Sequence, residues 1–368
     1  PRFHSWCRLQ KGKTVGDPDL GLHLALGRHM TLHGLFPPID PFTYTTADRP
    51  FINFEWGFDY ALYTLYSIAG PQGILVAKLV LVAILVSLIL KLAEHLYPEN
   101  PGLARWFCAL IVITSLPVIR LRLVERPHLL GFVFFLSHLC LARSYSLTST
   151  PSKKYLYILL LAGTIPIWSA LHGSWPLALA VTGAHALVMP QERKGFVVIF
   201  ALQLVATTLN PYGFSLLLVP FRHLGSSEVS SFITEWMSPE FSLYDAHAPI
   251  VFMLAAGFAL SVALVRNERD LPELLITLAL AILATRSFRF LTPALLVLAA
   301  PMGARIAKAT YQAAPTLQKV LHAGALIISL SFYYSVLPMQ AQTVFQTWDW
   351  EVKGLPRSAA DTIKDHEL

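Results

Sequence analysis

The chain has 368 residues, of which 55% are hydrophobic and only 14% charged, with a formal net charge of +6. Its mean hydropathy is +0.55. An ordinary soluble domain carries about 25% charged residues, so the composition excludes a soluble globular enzyme and points to an integral membrane protein. The basic excess is scattered through short loops without a Lys/Arg tract, which argues against a nucleic-acid partner and fits membrane topology and anionic lipid instead. Cys108 and Cys140 lie in apolar stretches and Cys7 in a polar one. With no CxxC pair or disulfide framework, cysteine says nothing about redox compartment.

Roughly 20 apolar residues cross a hydrocarbon core of about 30 Å, and the backbone inside must satisfy its own hydrogen bonds. The apolar runs are too long for barrel strands, so the expected fold class is all-α, a polytopic helical bundle. About ten spans are expected, over 72–92, 105–121, 128–143, 155–170, 174–189, 196–209, 249–265, 272–286, 288–304 and 322–338. Segments 155–189 and 272–304 read as tight helical hairpins. One set of connections carries Lys91/Arg105, Arg143/Lys153/Lys154, Arg193/Lys194, Arg266/Arg269 and Arg305/Lys308/Lys319. The other internal loops carry half as many basic residues: Arg120, Arg122, Arg126, Arg222, Arg286 and Arg289. The positive-inside rule therefore makes the first set cytoplasmic. Residues 1–71 form a first extracytoplasmic loop, 72–338 the transmembrane domain with a large outer loop at 210–248, and 339–368 an outer tail. An outer N-terminal segment that opens at Pro1 implies a spanning helix before it, and the helical start at Ser358–Ile363 implies a tail that continues.

In this topology the polar clusters Asp17-Pro18-Asp19, His172-Gly173, Glu235-Trp236 and Arg286/Arg289 emerge on one side. That is the expected reaction site. Asp17-Pro18 is also an ordinary helix start, with Asp as N-cap and Pro at the first helical position; Asp19 then only complements the helix dipole. The sharper reading joins Asp17 and Asp19 as a carboxylate pair, with His23 one turn on and on the same face. Such a pair can hold a divalent cation, Mg or Mn, through oxygen ligands, or supply a general base. Downstream, Arg49-Pro50 and Glu55-Trp56 precede an aromatic run from Phe58 to Tyr66 suited to the membrane interface.

Taken together these segments resemble the first extracytoplasmic loop of GT-C-type membrane glycosyltransferases. The resemblance rests on Asp17, Asp19, His23 and Gly27, then Pro37/Pro38 with Asp40-Pro41-Phe42, then Arg49-Pro50 and Glu55-Trp56. Protein O-mannosyltransferases and oligosaccharyltransferases carry a related acidic pair after their first spanning helix. Further on, Arg126-Pro127-His128, Trp168 with His172-Gly173, Leu209-Asn210-Pro211-Tyr212-Gly213 and Glu235-Trp236-Met237-Ser238-Pro239 are similar to motifs of the bacterial members. Two positions depart from the pattern: Leu22 stands where an aromatic is common, and Ser174 follows His172-Gly173.

The resemblance implies a GT-C bundle that transfers a sugar from a polyprenyl-phosphate donor to a glycan, lipid or protein acceptor, with inversion. It implies a bacterial inner-membrane location with the active face extracytoplasmic. Asp19 and Asp17 are then the catalytic or metal-holding carboxylates. Arg286, Arg289 and His172 are expected to bind the donor phosphate through forked or single hydrogen bonds. Glu55, Trp56, Glu235, Trp236 and His23 are expected to face sugar or acceptor. Other readings stand beside these: His172 as a helix-end carbonyl partner, Asn210–Gly213 as a turn, Glu235-Trp236 as part of an aromatic belt, and the arginines as snorkelling residues. Arg120, Arg122 and Arg126 form a second candidate for an anionic headgroup, and His138 and His185 read as buried structural histidines. A non-catalytic subunit of a membrane complex, with membrane-protein partners, is the alternative function; a lipid or sugar transporter is a weaker one.

Overall fold

The computed structural model describes residues 18–42, 51–218, 236, 270–312 and 323. Among these the chain is helical and contains no strand. Helix α1 is Pro18–His33, and its proline occupies a first turn where no N–H partner is needed. After Gly34, whose φ is 113°, Asp40 accepts a hydrogen bond from the Phe42 N–H (2.9 Å) and folds Asp40-Pro41-Phe42 into a turn.

Helix α2 runs Trp56–Leu96. Forty-one residues in a straight helix would reach about 60 Å, twice a hydrocarbon core. It is not straight. Gly70 adopts φ 60° and ψ −160°, and Pro71 follows; glycine tolerates that backbone and proline withholds the next N–H. The kink falls where the sequence separates the outer loop from the first span.

Helix α3, Pro101–Ile119, starts at an Asn100 cap that accepts from the Leu103 N–H (3.1 Å). A 3₁₀ turn, Arg120–Arg122, leads to α4, His128–Leu147. Helix α5, Pro151–Gly163, and α6, Ile165–Leu171, form one apolar rod interrupted at Thr164, with Pro166 just beyond. Helices α7 (Pro176–Val188), α8 (Arg193–Thr207), α9 (Leu271–Arg286) and α10 (Leu291–Tyr311) complete the described set, with a 3₁₀ turn at Phe288–Phe290.

Among the described residues, four stretches are long and apolar enough to cross a membrane: Trp56–Leu96, His128–Leu147, Pro151–Leu171 and Phe288–Tyr311. Pro101–Leu116 and Pro176–Val188 are shorter apolar helices. The expected spans at 249–265 and 322–338 lie outside the described residues. Long apolar side chains of α2, such as Val76 and Leu79, are 59% exposed, as befits a surface solvated by lipid rather than water.

Helix α10 is the best-buried element, packed on α3, α9 and α2. The main core gathers Leu92, Phe135, Leu136, Leu139, Trp168 and Ala300. A smaller cluster of Leu20, Phe58, Leu62 and Ile74 fastens α1 to the first half of α2, with Leu130 and Leu171 against it. Gly27 permits this contact, because a Cβ there would run into the Asp59 carbonyl. His138 and His185 are fully buried, and their Nδ1 atoms meet the Phe134 and Val181 carbonyls one turn back, at 2.8 Å each. Both therefore stand as structural histidines.

Two ends of the bundle differ in chemistry. At one end Lys154 pairs with Glu192 (2.6 Å), Arg105 with Glu94 (2.8 Å) and Arg143 with Asp270 (3.4 Å). This is the end with the lysine-rich connections. The start of α1, the start of α2, the α6–α7 turn and the α9–α10 turn converge at the other.

Candidate functional site

The segment 51–59 organises the second end. Asn53 is buried and uses three groups at once. Its Nδ2 donates to Asp59 Oδ2 (2.7 Å), its Oδ1 accepts from the Glu55 N–H (3.2 Å), and its own N–H donates to Tyr212 Oη (3.1 Å). Tyr212 is presented by a turn in which Asn210 Oδ1 accepts from the Tyr212 N–H (3.1 Å) and Gly213 takes a positive φ. Thus the Asn210–Gly213 turn expected from sequence has a second use: it pins the entry to α2.

Asp59 lies one turn into α2 and is fully buried. Its Oδ1 sits 2.6 Å from His23 Nδ1, and the His23 ring stands edge-on to Phe58. Asp19, one turn before His23, turns instead to Arg126, whose Nη2 is 3.0 Å from Asp19 Oδ2. Arg126 belongs to the 123–127 turn, which Lys78 of α2 clamps through Glu125 (2.8 Å). An ionisable side chain on a spanning helix needs such a partner.

The α6–α7 turn brings in His172. Its Nδ1 lies 2.6 Å from Ser174 Oγ, which also accepts from the Trp168 indole N–H (3.1 Å). Its Nε2 faces Glu55 Oε1 at 3.7 Å and Arg289 Nη2 at 3.4 Å. Arg289 comes from the 3₁₀ turn between α9 and α10, and its guanidinium lies 5.0 Å over the Trp236 ring. Gly131 of α4 leaves room for the turn: a Cβ there would come 2.5 Å from Ser174 Oγ and 2.6 Å from His172 Nδ1. Gly131→Ala should therefore cost about 1 kcal/mol, because the atoms met are side-chain ends on a turn that can shift. Thermal unfolding in detergent measures it, and an unchanged midpoint would show that the turn is not held this tightly.

Electrostatically the site is one unit. Burial pushes the Glu55 carboxyl up to about 7; His23 and Arg289 pull it back, while Asp59 and Asp19 add to the rise. For His23, burial works downward, but the Asp59 hydrogen bond and charge, with Glu55 and Asp19, outweigh it and leave the imidazole above its ordinary value. Burial, followed by Arg289, His128 and His23, holds His172 well below that value, so it is neutral. The site thus combines the carboxyl groups of Asp19, Asp59 and Glu55, the last raised to about 7 by burial, with the guanidinium groups of Arg126 and Arg289.

No family model, curated protein or solved structure matches the chain. Its function is therefore argued from these residues alone.

Of the residues singled out from sequence, Asp19, His23, Glu55, His172, Arg289 and Trp236 come together here. Trp56 lies at the rim, its ring edge-on to Phe36 (5.1 Å). Arg286 ends α9 on an exposed face, so Arg289 is the arginine of that turn that reaches His172. Asp17 and Glu235 lie outside the described residues. Among the described residues no group of three His, Cys, Asp or Glu side chains is arranged to hold a metal ion, and Asp19 already meets a guanidinium.

Sequence reasoning missed Asn53, Asp59 and the pairing role of Arg126. The signal for Asp59 was its spacing: it stands four residues after Glu55, on one helical face, inside a run otherwise aromatic and apolar.

Proposed function

We propose that the chain is a GT-C-type membrane glycosyltransferase of about ten spans, working at the extracytoplasmic face of a bacterial inner membrane. It moves a sugar from a polyprenyl-phosphate donor to a hydroxyl acceptor, with inversion. One observation carries the reading: Glu55 and Arg289, far apart in sequence, both face His172 Nε2, at 3.7 and 3.4 Å, within one polar site at one end of an apolar bundle. Carboxylates beside a guanidinium are what such a transfer needs. The acceptor hydroxyl must be aligned and deprotonated, and the departing phosphate must be stabilised as its charge grows.

In this reading Asp19, half open to solvent, accepts the hydrogen bond of the acceptor hydroxyl and aims its oxygen at the anomeric carbon. Arg126 keeps that carboxylate in place. Arg289 and neutral His172 face the donor phosphate, and the Trp236 and Trp56 rings offer apolar faces to the sugar. The apolar exposed face of α2 gives a polyprenyl chain a surface to follow into the lipid.

The test uses the full chain in proteoliposomes with polyprenyl-phosphate mannose and polyprenyl-phosphate glucose, following release of polyprenyl phosphate. Asp19→Asn should slow release by about 10²-fold, the cost of losing alignment at a reacting centre, while thermal unfolding stays unchanged. Full activity in that variant, or no release from either donor by the unaltered chain, would overturn the assignment and favour a non-catalytic membrane subunit.

A further inference from the structure

Attack by an acceptor hydroxyl sets free a proton, and the carboxylates of the site are poor destinations for it. Asp19 is tied to Arg126. Asp59 is enclosed, with both oxygens engaged by His23 and Asn53. Glu55 lies against His172 and Arg289, on the phosphate side. His23 is placed differently. Its Nδ1 is fixed on Asp59, its ring is held by Phe58, and its side chain keeps 12% exposure. Among the described residues nothing bonds its Nε2.

We propose that His23 and Asp59 form a proton-accepting dyad, in which His23 Nε2 takes the acceptor's proton while Asp59 holds the opposite ring nitrogen. The inference rests on the transfer reaction proposed above. In the step, the acceptor O–H bond breaks and an N–H bond forms at Nε2. The oxygen's freed pair makes the new bond to the anomeric carbon. The carbon–oxygen bond to phosphate breaks, and its pair leaves on polyprenyl phosphate. The imidazolium then gives its proton to water through its exposed edge and returns to the neutral form.

A buried carboxylate behind an imidazole fixes the ring's tautomer and orientation and stabilises the imidazolium once formed. Asn53 strengthens the device by holding the second Asp59 oxygen, so that the carboxylate cannot rotate away. Its position in turn depends on Tyr212. Charged and titratable groups face His23 from several elements. Glu55 and Asp59 come from the start of α2, Asp19 from its own helix with Arg126 as partner, and His172 from the α6–α7 turn. The acidic groups dominate and hold the proton on His23 to a higher pH than the ordinary 6.5. A base must be unprotonated to act, so the rate should rise with pH along a limb above 6.5.

The experiment follows polyprenyl phosphate release in proteoliposomes across pH, together with an NMR titration of the ring-labelled histidines in detergent. His23→Gln should lower the rate by about 10²–10⁴-fold and remove the limb. Asp59→Asn should move the rate limb and the His23 titration together to lower pH, a coupling of turnover to the ring that a merely structural contact would not produce. Glu55→Gln should keep the limb but move it to slightly lower pH, since one of the charges that raise His23 is gone; a limb that survives this change is not the Glu55 carboxyl's own. An active chain whose limb survives His23→Gln, or a His23 titration untouched by Asp59→Asn, would overturn the dyad while leaving transfer intact. Absence of release from any donor by the unaltered chain would sink transfer itself, and the dyad with it.

Discussion

If the proposed transfer reaction holds, Arg289→Ala is expected to slow polyprenyl phosphate release by about 10²–10³-fold, the usual cost of removing one preorganised donor from a site of developing negative charge. The guanidinium sits 3.4 Å from His172 Nε2 and 5.0 Å over the Trp236 ring, so it is held before any donor arrives. Its charge also reaches Glu55 and draws that carboxyl down. In the alanine variant Glu55 should hold its proton to still higher pH, and the proposed phosphate site would lose a guanidinium. Because the phosphate carries more charge as it leaves, kcat should fall further than KM rises. Arg289→Lys keeps a point charge but not the fork, and should recover only part of the rate. A lysine variant with full activity would show that charge alone suffices; an alanine variant with full activity would remove Arg289 from the phosphate site.

Gly303→Ala should be among the most damaging single methyl additions in the described bundle, alongside Gly27→Ala. A Cβ at 303 would lie 2.6 Å from the Cys108 backbone nitrogen and 2.7 Å from its Cα, where α10 crosses α3. Backbone atoms inside a helix cannot step aside as a side-chain end can. The two helices must separate instead, against the packing of Phe107, Leu296, Ala300 and Ala304. Overpacking of this kind costs about 1–3 kcal/mol and sometimes more. The matched control is Gly21→Ala on α1, where nothing stands within 4 Å of the added atom. That change should stabilise by about 0.5–1 kcal/mol through backbone entropy. Thermal unfolding of both variants in detergent decides the matter: equal midpoints would mean that α3 and α10 do not approach this closely.

Much of the helical framework was legible in the sequence because its punctuation is local. Pro18, Pro101, Pro151 and Pro176 each open a helix, and Gly70-Pro71 marks the bend between outer loop and first span. The break at Thr164 was hidden, since Pro151–Leu171 has the apolar length of one uninterrupted span. The site was legible as a set of residues but not as a set of bonds. Asp19 and His23 share a helical face, and spacing alone joins them; in the structure each turns to a partner on another element, Arg126 and Asp59. Those partners follow from how close α1 comes to α2, which the missing side chain of Gly27 sets. Such tertiary distances leave no periodic trace in a chain.

The bend at Gly70 has a mechanical corollary. The half of α2 before it carries Asp59 and packs on α1; just beyond it Ile74 joins the same cluster and Lys78 ties to Glu125, and exposed residues such as Leu79 and Val80 face the lipid. An atom added at Gly70 would meet nothing within 4 Å, so the bend lies on an open side of the helix. Differences in bilayer thickness, which helices absorb by tilting, are then taken up below the bend. On the transfer reaction proposed above, tilting of this kind would leave the His23–Asp59–Asn53 contacts undisturbed.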